Sequence, residues 1–197
     1  MVSKLSLAAQ ECCLKAIEEK ESEEIINRLL AHYYEINEGI GVHKTPTVYG
    51  AFPTDPYSHT PYRRGAQQPG MTGQVKEDIL SRFGELGISV KEGILSFHPS
   101  LLRKSEFLTT AIVFNYVDVT GNQQQLSLPK DALCFTYCQV PIVYQLADKN
   151  RIEVFYANGT SSSFETTSLD VVTSQQVFGR SGEISRMVVY LNETVLR

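Results

Sequence analysis

Ile88-Ser89-Val90-Lys91-Glu92-Gly93-Ile94-Leu95-Ser96-Phe97 decides the fold. Here the apolar spacing changes from helical to alternating, and it stays alternating to the last residue. Ile88 to Val90 and Ile94 to Phe97 read as two strands joined across Lys91-Glu92-Gly93, a short glycine-containing hairpin loop. Further strands are expected over 107–119, 124–128 (across Thr120-Gly121-Asn122), 132–144, 151–157, 162–166, 171–178 and 184–191. Turn signals at Asp148-Lys149-Asn150, Asn158-Gly159 and Arg180-Ser181-Gly182 separate the later ones. Strands with regular turns and no helices between them predict an antiparallel β-sandwich rather than a parallel sheet. Leu133, Phe135 and Tyr137 alternate with Cys134, Thr136 and Cys138, so one sheet face is expected to be apolar and the other mixed.

Upstream of Ile88 the period is helical. From Ser3 to about Lys20, Leu5, Ala8, Ala9, Cys12, Cys13, Ala16 and Ile17 recur at three- and four-residue steps, which predicts one buried helix face. Ser22 caps a second helix, Glu23 and Glu24 suit its positive end, and Gly39 is placed to stop it. Its buried face is expected to hold Ile25, Ile26, Leu29, Leu30, Tyr33 and Tyr34. A third, short helix runs from Gly73 to Phe83 behind a Thr72 cap, with Val75, Ile79, Leu80 and Phe83 on one face and Gly84 or Gly87 as its stop. The predicted class is α+β: a short N-terminal helical part with its long loop at 1–87, then an antiparallel β-sandwich domain at 88–197. A helix hairpin covers only one side of itself. An apolar face left uncovered would promote self-association or the docking of a partner chain.

Composition narrows the class of function. The chain has 197 residues, 42% of them hydrophobic, enough for a buried core. A net charge of −4 gives no general attraction for phosphate backbones, and Arg63-Arg64 is too short for a basic patch, so nucleic acid is not an expected partner. The apolar run Leu5 to Ala9 falls short of an export signal, and no segment reaches the ~20 apolar residues of a membrane helix. A soluble chain, cytoplasmic by default, is the expectation. Cys134 and Cys138 lie four apart on an expected strand, some 13 Å at ~3.3 Å per residue, too far for a local disulfide. No zinc-type spacing is present, so free thiols, no metal and no cofactor are expected.

The segment 49–77, YGAFPTDPYSHTPYRRGAQQPGMTGQVKE, carries the densest side-chain chemistry. Pro53, Pro56, Pro61 and Pro69 stiffen it, while Gly50, Gly65, Gly70 and Gly73 permit unusual backbone angles. Tyr49, Phe52, Tyr57 and Tyr62 alternate with Asp55, His59, Arg63, Arg64, Gln67 and Gln68. Rings beside planar amides and charges suit a polar ligand with apolar faces, such as a sugar; an irregular connector between domains needs the same prolines and rings. Glycosidic hydrolysis uses two carboxyl groups, and Asp55 with Glu77 forms the candidate pair if the loop folds back onto the helix. Glu77 in a first helical turn is equally accounted for by the helix dipole. Ser58, His59 and Asp55 lack a nucleophile-elbow pattern, His43, His59 and Asp55 are a scattered ligand set, and Gly70 to Gly73 lacks the P-loop lysine.

GAFPTDPYSHTP, followed by GAQQPGMTGQVKEDIL and then a β-rich end, resembles the C-terminal region of large bacterial glycoside-hydrolase-like proteins built on a six-hairpin (α/α)6 toroid. The resemblance runs from roughly the second helix onward. In those proteins, as in related inverting phosphorylases and glucoamylase-like enzymes, the last barrel helices lead through a substrate-side loop into a β-rich terminal domain. The resemblance implies carbohydrate as the partner, with Gln67, Gln68, Thr72, Gln74 and Glu77 as positions facing the cleft, beside Tyr57, His59, Tyr62 and Arg63 from the residue reading. Arg63-Arg64 departs from a less charged pair there. A toroid of about a dozen helices, each ~11 to 12 residues, exceeds everything ahead of Ile88. The expectation is therefore a terminal module, catalytically incomplete alone, with a non-catalytic carbohydrate-binding or protein-interaction module as the alternative.

Overall fold

The structure is a computed structural model that describes residues 2–39 and 75–196. The chain divides into two compact units, Met1–Gly84 and Glu85–Arg197.

The first unit holds α1 (Val2–Glu18), α2 (Glu23–Gly39) and α3 (Val75–Glu85), the last ending at the division. Ser22 caps α2 as its sequence position indicates, accepting a hydrogen bond from the Ile25 amide at 3.4 Å, with Glu23 and Glu24 in the first turn. Cys13, Ala16, Ile26, Leu30 and Tyr33 are buried. Two expected faces are rotated. In α1 the inward residues include Ser6 and Gln10, both 2% exposed, whereas Leu5 is 57% exposed. In α3 it is Glu77 and Ser81, one turn apart, that are buried, while Ile79 and Leu80 are each 50% exposed. A polar network explains the rotation. The Gln10 amide donates to the Tyr33 hydroxyl at 3.0 Å and to the Ser81 carbonyl at 2.6 Å, and Ser6 donates to Asn37 at 2.6 Å. Glycine at 84 permits the approach, since a Cβ there would stand 2.1 Å from Gln10 Oε1. Buried polar atoms fix the contact because leaving them unpaired costs more than exposing an isoleucine.

The second unit is strand-rich, as read from the sequence. β1 (Ile88–Lys91) and β2 (Ile94–Phe97) form the expected hairpin, with Glu92 and Gly93 at positive φ in its turn. β3 (Ile112–Val117) and β4 (Gln123–Leu128) form a second two-stranded ribbon. β5 (Ala132–Tyr137), β6 (Val140–Leu146), β7 (Arg151–Tyr156), β8 (Ser161–Phe164) and β9 (Ile184–Leu191) make one sheet in the order β5-β6-β9-β7-β8. Two consecutive hairpins, β5–β6 and β7–β8, are thus joined by the last strand, which pairs parallel to β6 and antiparallel to β7.

Three readings need correction. The run 132–144 is two strands, because Cys138 and Gln139 adopt φ of 50° and 65° and turn the chain. The run 171–178 is a helix, α4 (Val171–Phe178), and the β6–β9 pair is parallel. Asp170 starts α4, its carboxylate accepting from the Thr173 amide at 2.7 Å. Cap and solvent-facing Val171 and Val172 outweigh the β-branched preference for strand.

One sheet face carries the main core. Leu133, Ile142, Tyr144, Ile152, Val154, Met187, Val189 and Leu191 pack with Leu86, Leu95, Phe97, Leu102 and Val177. Tyr144 lies edge-on to Phe97 and Phe135 at 6.2 and 5.2 Å, and its hydroxyl donates to the Leu86 carbonyl at 2.5 Å. The β3–β4 ribbon covers part of the opposite face, where Phe114, Leu126 and Leu128 meet Ala132, Cys134, Val143 and Val188.

Candidate functional site

Of the residues singled out in the sequence, Asp55, Tyr57, His59, Tyr62, Arg63, Gln67, Gln68, Thr72 and Gln74 lie outside the described residues. Glu77 is described. It is the third residue of α3, 4% exposed, and its Oε2 has no hydrogen-bond partner among the described residues. The i, i+4, i+7 spacing of Glu77, Ser81 and Gly84 sets it one turn along the face that meets Gln10. A carboxyl so enclosed does not meet a sugar in this conformation.

The open concavities of the second unit were not anticipated. A cleft of about 620 Å³ lies among Tyr156, Asn158, Asp170, Thr173, Gln176 and Glu183, where the β7–β8 turn, the start of α4 and the loop into β9 converge. A second, of about 300 Å³, adjoins it through Ala157 and Gly182, and is lined by Tyr116, Asp118, Gln124 and Gln139 from the ribbon and the β5–β6 turn. Volume and lining suit a small polar ligand.

Most polar groups of the two clefts already hold one another. Asp118 accepts from the Thr120 hydroxyl at 2.7 Å and amide at 2.9 Å, from the Asn122 amide at 3.0 Å and from Gln124 Nε2 at 2.8 Å. The side-chain bonds from Thr120, then from Gln124, hold its carboxyl down to about 2. Gln139 donates to the Asp118 carbonyl at 3.0 Å, which also braces the strained Cys138-Gln139 turn. Gln176 donates to Glu183, and Asn158 accepts from the Thr160 amide and hydroxyl at 2.9 and 2.7 Å. Asp118 is thus a fixed anion and a poor proton donor near neutral pH. The clefts offer amides, hydroxyls and a tyrosine edge, groups that can hydrogen-bond to hydroxyl-rich ligands.

Among the described residues no cluster of three or more His, Cys, Asp or Glu side chains could hold a metal, and no helix is long and apolar enough to cross a membrane. All four cysteines are free; burial pushes the Cys13 thiol up to about 11 and Cys134 up to about 12. The sequence signal for the larger cleft was the Asp170-Val171-Val172-Thr173 cap, hidden by its valines.

Comparison with family models gives no match, and a search of the curated proteins finds no relative.

Proposed function

We propose that this chain is a terminal module of a glycoside-hydrolase-like, carbohydrate-processing protein, and that it binds sugar without a complete catalytic centre of its own. The observation that carries the reading is the inverted surface of the helical unit. Ile79 and Leu80 are half exposed while Glu77 and Ser81 are buried beneath them. Leu5 and Ile25 are exposed in the same unit, at 57% and 43%. A helix that faces water on all outer sides places apolar residues inward; helices with apolar residues outward are built to be covered by others. That is the requirement of a piece of a larger helical assembly, which the loop wording also suggests. The burial of Glu77 supports incompleteness, because the one described member of the carboxylate pair is closed to substrate. The polar clefts supply hydrogen-bonding chemistry appropriate to a sugar.

The full chain, titrated calorimetrically with a panel of α- and β-linked oligosaccharides, is expected to bind at least one and to hydrolyse or phosphorolyse none. Turnover abolished by Glu77→Gln would overturn incompleteness, and a panel with no binding would overturn the carbohydrate reading. The same exposed apolar side chains favour a second reading, a protein-interaction module, whose signature is a partner chain bound and no sugar.

A further inference from the structure

The β3–β4 ribbon covers the β5–β6 side of the second sheet face through Phe114, Leu126 and Leu128, reaching Val188 on β9 and bringing Tyr116 near Arg186. The β9–β7–β8 side carries a different surface. Arg151 is paired in register with Tyr190, Glu153 with Val188, and Phe155 with Arg186, so these side chains share the face. Each arginine lies on its neighbour's ring: the Arg151 guanidinium carbon is 4.1 Å from the Tyr190 centroid, and that of Arg186 is 4.2 Å from Phe155. On the outer strand Ser161 stands beside Phe155 and Ser163 beside Glu153, while Glu165, just past the strand, acts electrostatically on Arg151. The small Ser161 side chain opposite Phe155 leaves the Phe155–Arg186 end of the strip the less crowded one at the sheet margin.

The two arginines differ in what they are offered by the protein. Arg151 has a carboxylate 3.2 Å away in Glu153, which also accepts from the Tyr190 hydroxyl at 3.1 Å. Arg186 has no carboxylate in ion-pair range among the described residues, in a chain whose net charge is −4. Its guanidinium lies over the Phe155 ring, and among the described residues its N–H groups have no hydrogen-bond acceptor. A planar guanidinium fork matches a carboxylate in two parallel hydrogen bonds, which a lysine at the same place would not. Arg151 and Phe155 are four strand residues apart, roughly 13 Å. That length spans a short run of linked pyranose rings.

We propose that this open strip binds an oligosaccharide carrying carboxylates, a uronic-acid chain, with Arg186 gripping a carboxylate and Tyr190 and Phe155 presenting ring edges to the sugar. The proposal rests on the carbohydrate reading above and adds the acidic class and a second place of contact. The test is calorimetric titration of the full chain at low salt with oligogalacturonides and with neutral glucose oligomers of equal length. The oligogalacturonide is expected to bind about tenfold more tightly, weakening as salt rises. Arg186→Gln should erase that preference. Arg186→Lys, which keeps a cation over Phe155, should retain the salt dependence and lose most of the gain; it also decides the matter if the glutamine variant fails to fold. Equal affinities for the two sugars, or an oligogalacturonide affinity unmoved by either substitution, would overturn the strip while leaving the carbohydrate reading standing. Binding of neither sugar would overturn both.

Discussion

Gly87→Ala tests the join between Leu86 and β1. Gly87 has φ of +68°, which costs a residue with a Cβ about 1–2 kcal/mol. The added carbon would stand 2.1 Å from the His98 carbonyl carbon, 2.2 Å from Pro99 N and 2.3 Å from His98 O. These are backbone atoms, and the His98 amide is itself tied to the Gly87 carbonyl at 2.7 Å, so nothing swings aside. Overpacking of that kind adds ~1–3 kcal/mol, for a total of roughly 2–5 kcal/mol. Gly93→Ala is the control. Its φ is +78°, but a Cβ would meet nothing within 4 Å, so about 1 kcal/mol is expected. Urea unfolding followed by far-ultraviolet circular dichroism separates the two. With a slope of about 2 kcal/mol per molar urea, the midpoint should fall by roughly 1–2.5 M in the first variant and about 0.5 M in the second. Equal shifts would refute the packing argument, because backbone angle alone would then account for both.

Three further outcomes follow from particular side chains. Asp118 has a folded carboxyl held at about 2 against an ordinary 3.8, so its contribution is present above about 4 and is lost as pH falls toward 2; acid titration of Asp118→Ala should lose less stability across that window than the parent. With a thiol reagent at pH 8, exposed Cys12 should react first, half-buried Cys134, raised to about 12, more slowly, and buried Cys13, raised to about 11, only after unfolding; labelling of Cys134 as fast as Cys12 would contradict its partial burial. Ile79→Glu with Leu80→Glu should abolish concentration-dependent association in sedimentation velocity, with a stability change near ±0.5 kcal/mol since both are half exposed; a parent that stays monomeric at high concentration would count against an uncovered helical face.

Periodicity and caps carried the α+β class. The hairpin across Lys91-Glu92-Gly93 and the Ser22 cap were legible because each rests on a local rule that nothing distant overrides. Where local rules misled, long-range geometry had decided. Cys138-Gln139 contains no glycine or asparagine to announce a tight turn, and the bond from Gln139 to the Asp118 carbonyl comes from a residue 21 positions earlier. Val171 and Val172 read as strand, yet their exposure leaves the Asp170 cap in control. Apolar spacing does not reveal the inward faces of α1 and α3, because Gln10 bonds to Ser81 across 71 residues and brings polar faces together. The clefts escaped for the same reason: Tyr156, Asp170 and Glu183 become neighbours only when β9 is inserted between the two hairpins.

The most direct measurement mixes the full chain with an oligosaccharide panel and follows bound heat and released reducing sugar or sugar phosphate in the same samples. Saturable binding with no released product is the result predicted for a sugar-binding module without its own catalytic centre. Product release that disappears in Glu77→Gln, or no heat with any sugar, would contradict it.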